Sequence, residues 1–99
     1  MKKPIVLGNW KMFKGVRESI EMVEALTNKP FDLGVFDNLD VVLAPSYLAM
    51  VPVREVIGHS AVKLGAQDVF YEQTGAYCGA ISPRMLVGLC DYAFVGHSE

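Results

Sequence analysis

The chain has 99 residues, of which 52% are hydrophobic and 20% charged, which is the composition of one globular domain and not of a disordered segment. Its net charge of −2 gives no electrostatic reason to bind nucleic acid or an anionic membrane. The N-terminal apolar run breaks at Gly8, too early for an export signal, so a cytoplasmic location is expected. Cys78 and Cys90 form neither a disulfide framework nor a metal-ligand spacing, and we expect both to be reduced.

The first predicted element is a strand at Ile5–Leu7, a short apolar run between a proline and a glycine. An amphipathic helix is predicted from Val16 to Lys29, because apolar residues recur at helical spacing while charged residues occupy the opposite face. Phe31–Asp40 is predicted to be a loop. It leads to a second strand at Val41–Ala44, which proline closes.

The second predicted helix, Tyr47–Ile57, has a weaker pattern, because Pro52 inside it predicts a late start or a kink. A third strand is predicted at Ala61–Leu64, where an apolar run ends at a glycine. His59 lies in the turn before this strand, on its amino side, where a surface role is expected. A long glycine-rich loop at Gln67–Ile81 follows, and loops of this length are more often functional or interfacial than idle.

The third predicted helix begins at Ser82, with serine as the N-cap and Pro83 at the first helical position, and runs through Leu89. A fourth strand is predicted at Tyr92–Val95. The order is therefore strand-helix-strand-helix-strand-helix-strand, which is typical of a parallel α/β sheet with right-handed connections. It fits either a doubly wound sheet or part of a (β/α) barrel, and periodicity alone does not separate the two.

Polar side chains follow all four predicted strands, at the edge where parallel α/β folds bind their ligands. Lys11 and His97 are the chemically important pair, because an ammonium and an imidazole that converge at one mouth bind an anion and polarise a carbonyl group. Taken singly, a lysine such as Lys11 is more often a solvated surface residue, and a histidine such as His97 is as often structural as reactive. The strand ends supply Asn9, Lys11, Pro45, Ser46, Gln67, Asp68, His97, Ser98 and Glu99.

Four motifs together resemble the triosephosphate isomerase family, in its order and at its spacing. They are Gly8-Asn9-Trp10-Lys11-Met12, Gly65-Ala66-Gln67-Asp68, Gly75 to Pro83, and Val95-Gly96-His97-Ser98-Glu99. The family is a (β/α)₈ barrel that interconverts dihydroxyacetone phosphate and glyceraldehyde 3-phosphate in glycolysis and gluconeogenesis, in the cytoplasm and without a cofactor or metal. The resemblance implies that residues 1–99 are the N-terminal half of such a barrel, ending just after the fourth strand.

The resemblance also implies roles for individual residues. Lys11 is implied to hold the anionic substrate and its enediolate-like transition state, since a fixed ammonium stabilises developing negative charge. Asn9 is implied to orient the substrate, and His97 to polarise its carbonyl and move a proton between the two oxygens. Ser98 and Glu99 are implied to support this pair, with Glu99 a partner of Lys11, although a frayed terminal carboxylate is the alternative for Glu99.

The long loop resembles the contact through which the family forms homodimers. Its implied interface residues are Gln73, Thr74, Gly75, Ala76, Tyr77, Cys78 and Gly79. Three positions depart from the family pattern, since Asp68, Cys78 and Ala80 stand where asparagine, threonine and glutamate are usual. A charged contact made by that glutamate cannot form here, so the loop is expected to lack one of its usual supports.

The family's catalytic glutamate and its phosphate-binding loops have no match in this sequence, so the segment alone is expected to be inactive. Activity is expected only when the C-terminal half of the barrel is added. An alternative is a non-catalytic half barrel that associates with further copies of itself, because open sheet edges and apolar faces favour association. A third possibility is a phosphate-binding protein built on Lys11 and His97.

Overall fold

The computed structural model describes residues 4–27, 39–58 and 60–97. Its four strands are all parallel and lie in the order β1-β2-β3-β4, forming a curled sheet that is half of a (β/α)₈ barrel. The predicted fold class is therefore confirmed. In chain order the elements are β1 (Ile5–Asn9), α1 (Val16–Thr27), β2 (Asp40–Ala44), α2 (Tyr47–Ile57), β3 (Val62–Ala66), α3 (Pro83–Leu86) and β4 (Tyr92–Ala93).

The outer face of the sheet is covered by α1 and α2, and the apolar core lies between these layers. Alternation along the strands places Leu43 and Leu64 in register on this face. They join apolar residues of both helices, so the strands and helices bury one shared set of side chains. We call this set the helix-covered layer; it comprises Val23, Leu43, Ala49, Met50, Val53, Ile57, Val62, Leu64, Ala66 and Leu86.

The first two helices form where the sequence predicts them. Helix α1 begins at Val16 as expected and runs to Thr27, while the predicted end at Lys29 lies outside the described residues. Helix α2 begins at Tyr47 and keeps Pro52 in its interior, so the predicted late start is wrong. The apolar contacts of the buried face of α2 compensate for the backbone hydrogen bond that is lost at proline.

The third helix is much shorter than the sequence pattern predicts. Its start is confirmed, since the Ser82 Oγ accepts a hydrogen bond from the backbone N–H of Met85 at 3.3 Å. The predicted run through Leu89 is wrong, because the helix ends at Leu86. The next residue, Val87, is extended, and Gly88 has a φ of 82°, a left-handed conformation that glycine adopts without steric cost.

Strand β4 is also shorter than predicted, with Tyr92–Ala93 paired to β3 in place of the expected Tyr92–Val95. One further backbone bond, from the Phe94 N–H to the Ala66 carbonyl at 3.0 Å, continues the contact beyond the strand. The loop at Gln67–Ile81 is confirmed, since no helix or strand is assigned in the described chain between β3 and α3.

Two side-chain contacts fix β4 to the rest of the sheet. On the concave face the Tyr92 hydroxyl donates to the Asp40 carboxylate at 3.0 Å, so a side chain from β4 reaches across β3 to β2. On the helix side Asp91 Oδ2 accepts from both Arg54 Nη1 and the Leu64 backbone N–H, each at 3.1 Å. These contacts hold the chain that precedes the last motif in a fixed place.

The concave face requires a glycine at its centre. A Cβ atom on Gly65 would lie 3.0 Å from Val42 Cγ1 and 3.8 Å from the Phe94 ring, closer to Val42 than side chains ordinarily pack. Val42, Gly65 and Phe94 therefore lie close together on this face. Among the described residues, none of the helices is long and apolar enough to cross a membrane.

Candidate active site

A pocket of about 690 Å³ opens at the carboxyl ends of the strands. Every strand or its following loop contributes to it, as expected for the ligand-binding edge of a parallel α/β sheet. Its lining combines cationic, acidic and amide side chains with exposed apolar ones. The lining residues are Asn9, Lys11, Met12, Phe13, Lys14, Gly15, Ser46, Tyr47, Leu48, Gln67, Asp68 and His97.

Lys11 lies in a turn with an uncommon backbone conformation. Its φ is 48°, in the left-handed region that residues other than glycine seldom adopt. The Asn9 side chain supports the turn, because its Oδ1 accepts the Lys11 backbone N–H at 2.8 Å. The turn is tied to β2 by the Trp10 N–H, which donates to the Ala44 carbonyl at 3.1 Å. Backbone conformations of this kind cost free energy and are most often kept where a side chain must be aimed.

Gln67 connects three of the loops that form the pocket. Its side-chain Nε2 donates to the Lys11 carbonyl at 2.8 Å and to the Ala44 carbonyl at 3.0 Å. Its own backbone carbonyl contacts His97 Nε2. One residue at the end of β3 therefore holds the Lys11 turn, the end of β2 and the histidine after β4 in a common arrangement.

His97, from the last motif, lines the same pocket. Its side chain is 32% exposed, and the nitrogen that faces the Gln67 carbonyl also lies 4.0 Å from Asp68 Oδ1. A carbonyl oxygen only accepts hydrogen bonds, so we infer that the facing Nε2 carries a proton. An imidazole in this form can donate a hydrogen bond to a substrate carbonyl.

Asp68 and Tyr47 also line the pocket and contact each other. The Tyr47 hydroxyl donates to the Asp68 backbone carbonyl, which joins the start of α2 to the end of β3. Burial, followed by the nearby Asp68 carboxylate, raises the pKa of the Tyr47 hydroxyl above its ordinary value. Tyr47 therefore stays a neutral hydrogen-bond donor at neutral pH.

The long loop is exposed but folds on itself. Its base is closed by the Phe70 N–H, which donates to the Ile81 carbonyl at 2.8 Å. The Phe70 ring packs against Tyr77 with ring centroids 4.6 Å apart, and a side chain at Gly75 would clash with that tyrosine. All seven residues proposed for an interface, from Gln73 to Gly79, are solvent-exposed in this loop.

Three of the predicted site residues line the same pocket at the strand ends: Asn9, Lys11 and His97. The predicted supporting residues Ser98 and Glu99, and the turn histidine His59, lie outside the described residues. Within the described chain, no group of histidine, cysteine, aspartate and glutamate side chains is arranged to hold a metal ion.

Sequence reasoning missed two features of the pocket. Gln67 and Asp68 were recognisable as strand-end residues, but the sequence gives no indication that the Gln67 amide links two backbone carbonyls. Tyr47 and Lys14 also line the pocket but were not predicted as site residues, since Tyr47 begins a helix and Lys14 lies in a loop. The available signal for Tyr47 was its position shortly after β2, at the carboxyl end of a strand.

The comparisons with known proteins agree with this geometry. A protein-family model described as triosephosphate isomerase matches residues 4–99. Proteins named triosephosphate isomerase from Roseiflexus sp. (strain RS-1), Herpetosiphon aurantiacus and Dehalococcoides mccartyi (strain CBDB1) are 44%, 42% and 36% identical to this chain. Each alignment covers 100% of this chain and 38%, 39% and 38% of the respective relative, so the chain spans about two fifths of their length.

Proposed function

Since this chain belongs to the triosephosphate isomerase family, we propose that it forms the N-terminal part of an enzyme that interconverts dihydroxyacetone phosphate and glyceraldehyde 3-phosphate. The observation that carries the proposal is the shared pocket of Lys11, Asn9 and His97, with Gln67 linking the loops that hold them. This segment supplies the groups that bind the substrate and polarise it.

The chemistry of the pocket suits a small anionic substrate that bears a carbonyl group. The Lys11 ammonium attracts the phosphorylated triose and stabilises the negative charge that develops on its oxygens as a proton leaves carbon. His97 Nε2–H gives its proton to the carbonyl oxygen and then takes the proton of the neighbouring hydroxyl, so that the carbonyl moves between the two carbons. The Asn9 side chain fixes the backbone that aims Lys11.

A base that removes the carbon-bound proton must come from elsewhere. Of the glutamates in the described residues, none lines the pocket, and Glu72 lies exposed in the long loop. We therefore propose that residues 1–99 by themselves do not catalyse the reaction at an enzymatic rate. The remaining strands of the barrel would supply the base and the groups that grip the phosphate.

The test is a chimera in which residues 1–99 are joined to the remaining part of the Roseiflexus relative, assayed in both directions of the isomerisation. We expect turnover by the chimera and none by the 99-residue chain. Lys11→Met and His97→Gln should each lower kcat/KM by about 10²–10³-fold, since each removes a charge-stabilising group.

Lys14→Met is the matched control, because Lys14 carries the same charge and borders the same pocket. It should cost less than about tenfold, as expected when a charge is removed away from the reacting atoms. A folded chimera without turnover would contradict the proposed activity. Equal losses from Lys14→Met and Lys11→Met would contradict the role assigned to Lys11.

The second candidate function is a non-catalytic half barrel that associates with copies of itself. It is favoured by the exposure of β1, where Ile5, Val6 and Leu7 are 47%, 53% and 52% exposed although they are apolar and form a strand. Light scattering decides this point. A discrete homo-oligomer of the 99-residue chain supports self-association, and a folded monomer excludes it.

The homodimer of the family is a separate proposal, supported here by the exposed and internally packed loop at Gln73–Gly79. Deleting the tip of this loop in the chimera should convert a dimer into a monomer. A chimera that stays dimeric without the tip would contradict the assigned interface.

A further inference from the structure

We propose that Asp68 is a positioning residue that, together with the Gln67 carbonyl, holds the His97 imidazole in a resting position from which substrate must release it. The inference rests on the proposed function, in which His97 polarises the substrate carbonyl. It adds a step to substrate binding and assigns that step to an acidic side chain outside the reacting groups.

The contacts of His97 define the resting position. Its Nε2 faces two oxygens of neighbouring residues, the Gln67 carbonyl oxygen and, at 4.0 Å, Asp68 Oδ1. The proton on Nε2 is a single donor, so it cannot serve the Gln67 carbonyl and a substrate carbonyl in full at the same time. Substrate must therefore take this hydrogen bond from Gln67 before the imidazole can polarise it.

The two residues that carry these oxygens are themselves hydrogen-bonded to other parts of the pocket. The Gln67 side chain is fixed by two hydrogen bonds, to Lys11 at 2.8 Å and to Ala44 at 3.0 Å. The Asp68 backbone is fixed by the Tyr47 hydroxyl. His97 follows Gly96, whose φ of 70° lies in the left-handed region that glycine adopts without steric cost.

Asp68 also acts on the ligand directly. Its side chain is 66% exposed and borders the same pocket as Lys11, so it places a negative charge beside the site of an anionic substrate. Solvent screens this charge, and its effect on binding is therefore modest. Both actions have the same sign, because the carboxylate favours the resting imidazole and disfavours the incoming anion.

The first test is ¹⁵N-detected NMR of the His97 imidazole in the 99-residue chain at alkaline pH, with His97→Gln to assign the signal. We expect a protonated Nε2 whose proton exchanges slowly with water. Asp68→Asn should shift this signal and speed the exchange, and Asp68→Glu should partly restore both. Glu72→Gln, which removes a charge from the exposed loop, should change neither. An Asp68→Asn spectrum identical to the unmodified chain would overturn the inference.

The second test measures kinetics in the chimera. Asp68→Asn should lower KM for glyceraldehyde 3-phosphate by about two- to fivefold, the range expected of a screened charge, with kcat changed less than about twofold. If Asp68 had a purely structural role, Asp68→Asn would lower kcat and stability together and would not change KM separately from kcat. That result would overturn the inference. If the unmodified chimera shows no turnover, the proposed function fails, and the NMR comparison alone decides the resting position.

Discussion

The helix-covered layer and the pocket at the strand ends are stabilised by different interactions. In the layer, Val23, Met50, Val53, Ile57 and Leu64 are at most 2% exposed, and burying such a side chain contributes about 1.5–3 kcal/mol. At the pocket the main connections are hydrogen bonds to backbone carbonyls, made by a single amide side chain. Such bonds contribute about 1 kcal/mol each but fix direction, which apolar contact does not.

This difference separates stability from geometry. The layer holds the sheet and helices together and tolerates apolar exchange of similar volume. The pocket contributes little buried area, and it depends on where Gln67 places the Lys11 turn and His97. Substitutions in the layer should therefore change unfolding, whereas substitutions at the pocket should change the arrangement of the reactive groups.

The largest effect is expected in the layer. Leu64 is fully buried, so Leu64→Ala should lower the free energy of unfolding by about 3 kcal/mol through lost burial and the cavity left behind. Leu48→Ala is the control, since Leu48 is 82% exposed and should cost less than about 0.5 kcal/mol. Urea unfolding of both variants measures the difference. Equal costs would mean that the layer is not the core of the fold.

A smaller loss is expected from an isosteric change at the pocket. Gln67→Glu replaces an amide donor by a carboxylate that faces the Lys11 and Ala44 carbonyls, so both hydrogen bonds are lost and oxygen meets oxygen. The cost should be about 2 kcal/mol in urea unfolding at neutral pH. Gln73→Glu in the exposed loop is the matched control and should be close to neutral. No loss from Gln67→Glu would show that the amide does not join the loops.

The layer was predictable from the sequence and the pocket was predictable only in part. Apolar runs located β1, β2 and β3, and helical spacing located α1 and α2. Those patterns failed at Leu89 and Val95, where a run of apolar residues continues although the helix and the strand have ended. The pattern of apolar residues does not indicate where the backbone hydrogen bonds of a helix or strand end.

The pocket residues were predicted by a different route. Strand ends indicated that Lys11 and His97 would converge, but their roles came from resemblance to a family. The link through Gln67 could not be predicted, because it depends on distances between three loops that are remote in sequence. A hydrogen bond from a side chain to a distant backbone carbonyl produces no periodic pattern in the sequence.

Helix α1 buries one polar side chain whose removal should stabilise the protein. Among the described residues, the Ser19 Oγ is buried without a hydrogen-bond partner. Ser19→Ala should raise the free energy of unfolding by about 1 kcal/mol, since it removes an unsatisfied group and adds a better helix former. Glu24→Ala, an exposed change on the same helix, controls for helix propensity. Destabilisation by Ser19→Ala would show that the hydroxyl makes a contact in solution.

The smallest effect concerns the concave face and depends on pH. The hydrogen bond to Asp40 is the main cause that raises the pKa of Tyr92 above its ordinary value of 10.0. A raised pKa in the folded state means that the neutral hydroxyl stabilises the fold below about pH 10, and that this stability is lost as pH rises through the folded value. Tyr92→Phe should therefore be less stable than the unmodified chain at pH 7 to 9, as judged by urea midpoints.

The difference in urea midpoint between Tyr92→Phe and the unmodified chain should shrink above about pH 10, where Tyr92 ionises. Tyr47→Phe serves as a comparison for Tyr92→Phe, because the Tyr47 hydroxyl contacts a backbone carbonyl and not a carboxylate. A Tyr92→Phe difference that grows as pH rises would contradict the direction assigned to this pKa.

The central claim is that an ammonium after β1 and an imidazole after β4 act on the same substrate in one pocket. A double-mutant cycle in the chimera tests it most directly, with Lys11→Met and His97→Gln made singly and together. Residues that act as a unit give non-additive losses, so the double variant should lose little more kcat/KM than the weaker of the two single variants. Losses that multiply as independent factors, or single variants no weaker than Lys14→Met, would contradict the claim.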